Sequence, residues 1–126
     1  MTANKMLIAN YFRTLSSQPK TGELVRLYVD DVRLAQHIAE VEAAFPNYEI
    51  AVDDMLAERD MVVVRGRFRG VHRGPFGGLE PTGRAVSAGL IIIYRIENNR
   101  IVDHWMQFDR LELLQQLQDA SATVAV

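Results

Sequence analysis

The sequence predicts an α+β fold: three N-terminal helices, a curved four-stranded antiparallel sheet wrapped around them, and a short C-terminal helix. Two observations carry this reading. Apolar residues recur at helical spacing as far as Phe45, and at a spacing of two from Tyr48 onward. A glycine- and proline-rich stretch, Gly70 to Arg84, then leads into a long apolar run, Val86 to Ile96.

The elements follow in order. Asn4 is placed to cap a first helix whose Leu7, Ile8, Tyr11, Phe12 and Leu15 share one face. Ser16 to Lys20 ends it, because Pro19 disfavours the helical state in the residue before it. Thr21 caps a short second helix with Leu24, Leu27 and Tyr28 on one side. Asp30 or Asp31 caps a third, whose Leu34, Ile38, Val41 and Phe45 form a narrow stripe, and Pro46 stops it.

Strands are expected over Tyr48 to Met55 and Met61 to Gly70, around a turn at Glu58-Arg59-Asp60. In the second, Val62, Val64 and Phe68 face one way and Arg65, Arg67 and Arg69 the other. Val86 to Ile96 and Ile101 to Phe108 form the next pair, around Asn98-Asn99. Asp109 opens a helix over Arg110 to Leu117 with Leu111, Leu114 and Leu117 on one side. Residues from Ala120 to Val126 read as a loose tail or a short added strand.

At 126 residues the chain supports one domain with one core. A formal charge of −2 offers no general attraction for nucleic acid or an anionic membrane. The arginine stripe is therefore expected to be solvated or salt-bridged. With no cysteine, disulfides and thiol catalysis are excluded. His37, His72 and His104 are scattered without ligand spacing, so no metal is expected. The segment Met1 to Asn10 is too short for a signal peptide or a membrane span, and a cytoplasmic protein is expected.

One strand reaches beyond the fold. Leu90, Ile92 and Tyr94 point one way and Ile91 and Ile93 the other, so Val86 to Ile96 is apolar on both faces. The helices cover one face. The other is expected to meet a second copy, giving a homodimer through the outer sheet face.

The run His72-Arg73-Gly74-Pro75-Phe76-Gly77-Gly78-Leu79-Glu80-Pro81-Thr82-Gly83-Arg84 resembles the SnoaL-like polyketide cyclase family of the nuclear transport factor 2-like superfamily. So does Tyr94 to Trp105, with Asp109 and Leu113-Leu114-Gln115-Gln116-Leu117 after it. The resemblance implies a cone-shaped barrel around a deep apolar pocket. It also implies an aspartate near the end of the last strand that acts as general acid/base in an intramolecular aldol closure, without metal or organic cofactor. The matching position is Asp109. One departure stands out: Tyr28 to Val32 runs almost directly into the third helix, where relatives carry a longer segment, often with a histidine that approaches the pocket.

Each candidate residue has a functional and a structural reading. Asp109 has Trp105, Phe108 and Leu111 close in sequence, a setting that could dehydrate a base and raise its pKa. As a helix cap it would accept backbone N–H bonds, which lower the pKa. His104 could share a proton with Asp109, but alternation puts it on the opposite face, with Met106 and Phe108. His72 could line the pocket mouth or bond loop backbone, and His37 reads as a partly buried structural histidine. Tyr11, Tyr28, Phe12, Phe45, Trp105 and Gln107 would suit a flat apolar ligand, or plain core packing.

The first expectation is thus an enzyme in which Asp109, with His104, moves a proton at carbon in an apolar, aromatic carbonyl compound. Tyr11, Tyr28, Phe45, His72, Trp105 and Gln107 would contact that compound. The rivals are a binding module for an apolar small molecule, a purely structural dimeric domain, and a hydrolase of epoxides or esters on the same scaffold.

Overall fold

In the computed structural model, which describes residues 2–118, each N-terminal helix starts on a side chain that accepts a backbone N–H. Thr2 caps α1, Ala3–Leu15, a role expected of Asn4. Thr21 caps α2, Gly22–Arg26, and Asp31 caps α3, Val32–Ala44. The stripe Leu34 and Ile38 is buried as expected, and Leu34→Ala would cost roughly 2–5 kcal/mol.

Four strands follow: β1, Glu49–Glu58; β2, Met61–Val71; β3, Ala85–Glu97; and β4, Arg100–Phe108. They form one antiparallel sheet in the order β1-β2-β3-β4. The sheet does not close; β1 and β4 remain its edges. Register shifts between Val52 and Asp54, and beside Arg95 and Ile96, mark irregularities of the kind that bend a strand.

Alternation sorts the two faces. Val62, Val64, Phe68, Leu90, Ile92 and Tyr94 turn inward and are buried against Leu7, Ile8, Tyr11 and Phe12 of α1 and the stripe of α3. Arg65, Arg67 and Arg69 turn outward and are paired with Asp54, Glu112 and Glu49.

The short link between α2 and α3 is stitched onto β4. Val29 bridges Ile101, Asp30 pairs with Arg100 at 2.7 Å, and Asp31 is already the cap of α3. The final helix, α4, spans Arg110–Gln118. Its inward face is Leu113 and Leu117; Leu111, expected inside, is 66 % exposed. Gln116 fixes the rotation by accepting from Ser87 N at 2.9 Å and donating to Ser87 O at 2.6 Å. Among the described residues no helix is long and apolar enough to cross a membrane. The expected tail lies outside them.

Candidate active site

Between α3 and the inner sheet face the core leaves a cavity of about 430 Å³. Its walls are apolar: Leu34, Ile38, Phe68, Leu90, Ile92 and Leu113 among others. A somewhat larger concavity, about 500 Å³ around Asn47, Arg69 and Gln116, is an open groove on the surface, and the interior cavity is the better binding volume.

Three tyrosines reach the cavity: Tyr11 from α1, Tyr48 just before β1, and Tyr94 from β3. The rings of Tyr11 and Tyr94 meet edge to face, 5.8 Å apart. Burial raises the pKa of all three phenols, so they stay protonated and serve as hydrogen-bond donors. The mouth is polar. His37 and Glu40 line it from α3 and Arg110 from α4, while Pro75, Phe76 and Gly77 line it from the loop before β3.

His37 is the titratable group of the mouth with the most useful chemistry. By accessible surface His37 is exposed, not the partly buried residue expected, but the protein atoms crowding the mouth still desolvate its ring in part and lower its pKa below 6.5; the nearby His104 lowers it further, and Glu40 opposes in part. The imidazole is therefore neutral at physiological pH and has a lone pair to accept a proton.

The loop holds its place through backbone contacts. Arg73 N and Gly74 N both donate to Ala44 O, at 2.9 and 3.1 Å, pinning the loop to the end of α3. Phe76 and Leu79 exchange two hydrogen bonds around Gly77 and Gly78, whose φ values of +56° and +80° favour glycine.

The structure brings together only part of the expected site. Tyr11 and Phe45 line the cavity. Tyr28 does not; its ring packs 5.8 Å from that of Tyr11 and its hydroxyl bonds Thr14 Oγ1 at 2.9 Å. Phe12 packs on Tyr94 within the core. His72 is fully buried behind Phe45, where Nδ1 accepts from Thr82 N at 3.2 Å, so it braces the loop.

Asp109, Trp105 and Gln107 are corrections. All three are exposed on the outer side of the sheet. The register decides this: Ile92 pairs with Met106 and Tyr94 with His104, so β4 turns His104, Met106 and Phe108 inward. Asp109 caps α4, accepting from Glu112 N at 2.9 Å, and borders an open outer groove with Arg65, Arg67 and Gln107.

His104 faces inward without lining the cavity. Its Nδ1 lies 2.7 Å from Asp31 Oδ2. Hydrogen bonds from His104 and from Leu34 N and Arg33 N outweigh burial and hold the Asp31 carboxyl below its usual range. Asp31, Asp103 and His104 place ligand-type atoms within 4.8 Å of one another. These atoms are already committed: Asp103 Oδ1 accepts from Arg33 Nη2 at 2.8 Å, so a guanidinium supplies the positive charge there.

His37, Glu40, Tyr48, Tyr94 and Arg110 are the functional candidates that sequence reasoning missed or set aside. A signal for His37 existed. Leu34, His37, Ile38 and Val41 stand at i, i+3, i+4 and i+7, which puts the imidazole beside the buried stripe.

A family model for the SnoaL-like polyketide cyclases matches residues 29–117. No curated protein sequence matches the chain. Among solved structures, IdmH of Streptomyces antibioticus, named as a candidate polyketide cyclase, is 26 % identical with a TM-score of 0.72, covering 90 % of this chain and 97 % of its own. A protein of Acidithiobacillus ferrooxidans, also named as a candidate polyketide cyclase, is 22 % identical with a TM-score of 0.81, covering 95 % and 97 %. AclR of Streptomyces galilaeus, named as a candidate hydroxylase, is 24 % identical with a TM-score of 0.77, covering 97 % and 91 %. These neighbours share the fold under names for different reactions, so the fold alone does not select one.

Proposed function

The chain belongs to the SnoaL-like polyketide cyclase family, and from that premise we propose that it moves a proton at carbon in a flat, apolar carbonyl compound held in the cavity. One observation supports this above the rest: the cavity has apolar walls, protonated phenols deep inside and a neutral imidazole at its mouth. His37 takes the proton alpha to the carbonyl. A hydroxyl of Tyr11 or Tyr94 donates to the carbonyl oxygen as it becomes an enolate. The enolate carbon then bonds to a second carbonyl carbon of the same molecule, and the new alkoxide recovers the proton from His37. Without a second carbonyl, reprotonation at a different carbon gives isomerisation. Extended conjugation in the substrate stabilises the enolate and suits aromatic polyketide-like compounds. The test is exchange: β-tetralone incubated in D₂O with the protein should take up deuterium alpha to its carbonyl, and uptake no faster than in buffer would overturn the reading.

A second reading is a ligand carrier, favoured by the outward, helix-capping position of Asp109. It requires β-tetralone to bind without exchange.

The outer sheet face we assign to a second copy. Register aligns Leu56, Val63, Ile93 and Trp105 in one row across all four strands. Leu56 is 68 % and Trp105 47 % exposed, which leaves an apolar stripe on the surface. A two-fold axis parallel to the strands would lay Leu56 on the partner's Trp105 and Val63 on the partner's Ile93, so the stripe is self-complementary.

A further inference from the structure

Among the described residues Arg110 is the one permanent cation lining the cavity. Six other arginines, Arg33, Arg65, Arg67, Arg69, Arg95 and Arg100, carry a carboxylate partner; Arg13, Arg26, Arg59, Arg73 and Arg84 show none among the described residues, but none of those lines the cavity. No carboxylate of the described residues lies within 4.0 Å of the Arg110 guanidinium. That guanidinium is nonetheless held in place. It sits 5.5 Å from the centre of the Phe76 ring and packs beside Gly77, with Nη2 at ordinary van der Waals distance, 3.4 Å, from where a Cβ on that residue would stand. Phe76 and Gly77 belong to the hydrogen-bonded turn at the mouth, so the cation is poised over the entrance.

We propose that the substrate carries a carboxylate, and that Arg110 holds this group at the mouth while the apolar body enters between α3 and the sheet. The chemistry favours it: a planar guanidinium matches a carboxylate through two parallel N–H···O bonds. Glu40 stands on the α3 side of the same mouth. It repels the acid, leaving the α4 side as the place where the acid is received. One end of the substrate is thereby fixed relative to His37. This inference rests on the reading of the cavity as the site for a flat carbonyl compound.

The test compares two probes that differ in one charge, hydroxynaphthoate and its methyl ester, with binding followed by calorimetry. The wild-type protein should prefer the acid by about tenfold, and the preference should shrink as salt is added. Arg110→Met should erase the preference; Arg110 is exposed at the start of α4, so the variant retains its core. Equal wild-type affinity for acid and ester overturns the role of Arg110 and leaves the cavity reading standing. A preference that survives Arg110→Met also overturns it, because the acid is then held elsewhere. If neither probe binds, the cavity reading and this inference fall together.

Discussion

Asp31 and His104 lie 73 positions apart in the chain and meet at 2.7 Å, joining the start of α3 to the inner face of β4. An ionised carboxylate only accepts, so His104 Nδ1 is the donor. The same carboxylate caps α3 through Arg33 N and Leu34 N. One side chain thus sets both the position of the helix that carries His37 and the strand behind it.

Asp31→Ala removes a cap and leaves a largely buried imidazole without its partner. The expected cost is about 2–4 kcal/mol, read as a lowered melting temperature. Asp31→Asn keeps a good capping residue and should recover the helix-capping part alone. The sign of the pH effect is fixed. The folded carboxyl titrates below its ordinary 3.8, so its stabilisation is fully present above that pH and is lost as pH falls through the folded value. Wild type should lose this increment in acid, and Asp31→Ala should not.

Gly74→Ala should disturb the mouth of the cavity. A Cβ at Gly74 would lie 2.2 Å from Ala43 O, a backbone atom that cannot step aside. The expected destabilisation is about 1–3 kcal/mol by thermal unfolding, with weaker probe binding as the loop lifts from α3. A variant as stable as wild type would show that the loop is not pinned there.

Trp105→Glu puts a charge into the apolar row of the outer face. In light scattering the wild-type protein should have twice the chain mass and the variant a single chain mass, with an unchanged helical signal. A monomeric wild type would remove the second copy from the account.

Stability should also respond to His37. Its folded pKa is depressed below 6.5, so the unfolded chain takes up the proton first. Stability is full above that pH and falls as pH drops through the folded value. In His37→Gln this part of the acid dependence should vanish from the melting curve.

Much of the fold was legible in the sequence. The alternation of Val62, Val64 and Phe68 with Arg65, Arg67 and Arg69 defined both faces of β2, Thr21 placed the start of α2, and the pair Asp30-Asp31 placed that of α3 to within one residue, the structure choosing Asp31. The site was less so. Alternation grouped His104 with Met106 and Phe108 but could not say which group turned inward; that depends on register against Ile92 and Tyr94, a long-range property. Asp109 is the last residue before a helix, where the preference of aspartate for the cap wins over the strand pattern. The rotation of α4 was hidden for a similar reason, because Gln116 sets it through Ser87 on a distant strand. For His37 the spacing was present, but spacing cannot show that packing leaves a hollow beside it.

The central claim is that His37, at the cavity mouth, takes a proton from carbon and that Asp109, outside, does not. The direct measurement is deuterium uptake by β-tetralone in D₂O with wild type, His37→Gln and Asp109→Asn, each shown to be folded. The account predicts uptake with wild type, half-maximal below pH 6.5 and rising with pH, loss of at least a hundredfold in His37→Gln, and retention in Asp109→Asn. Uptake that survives His37→Gln and disappears in Asp109→Asn would contradict it.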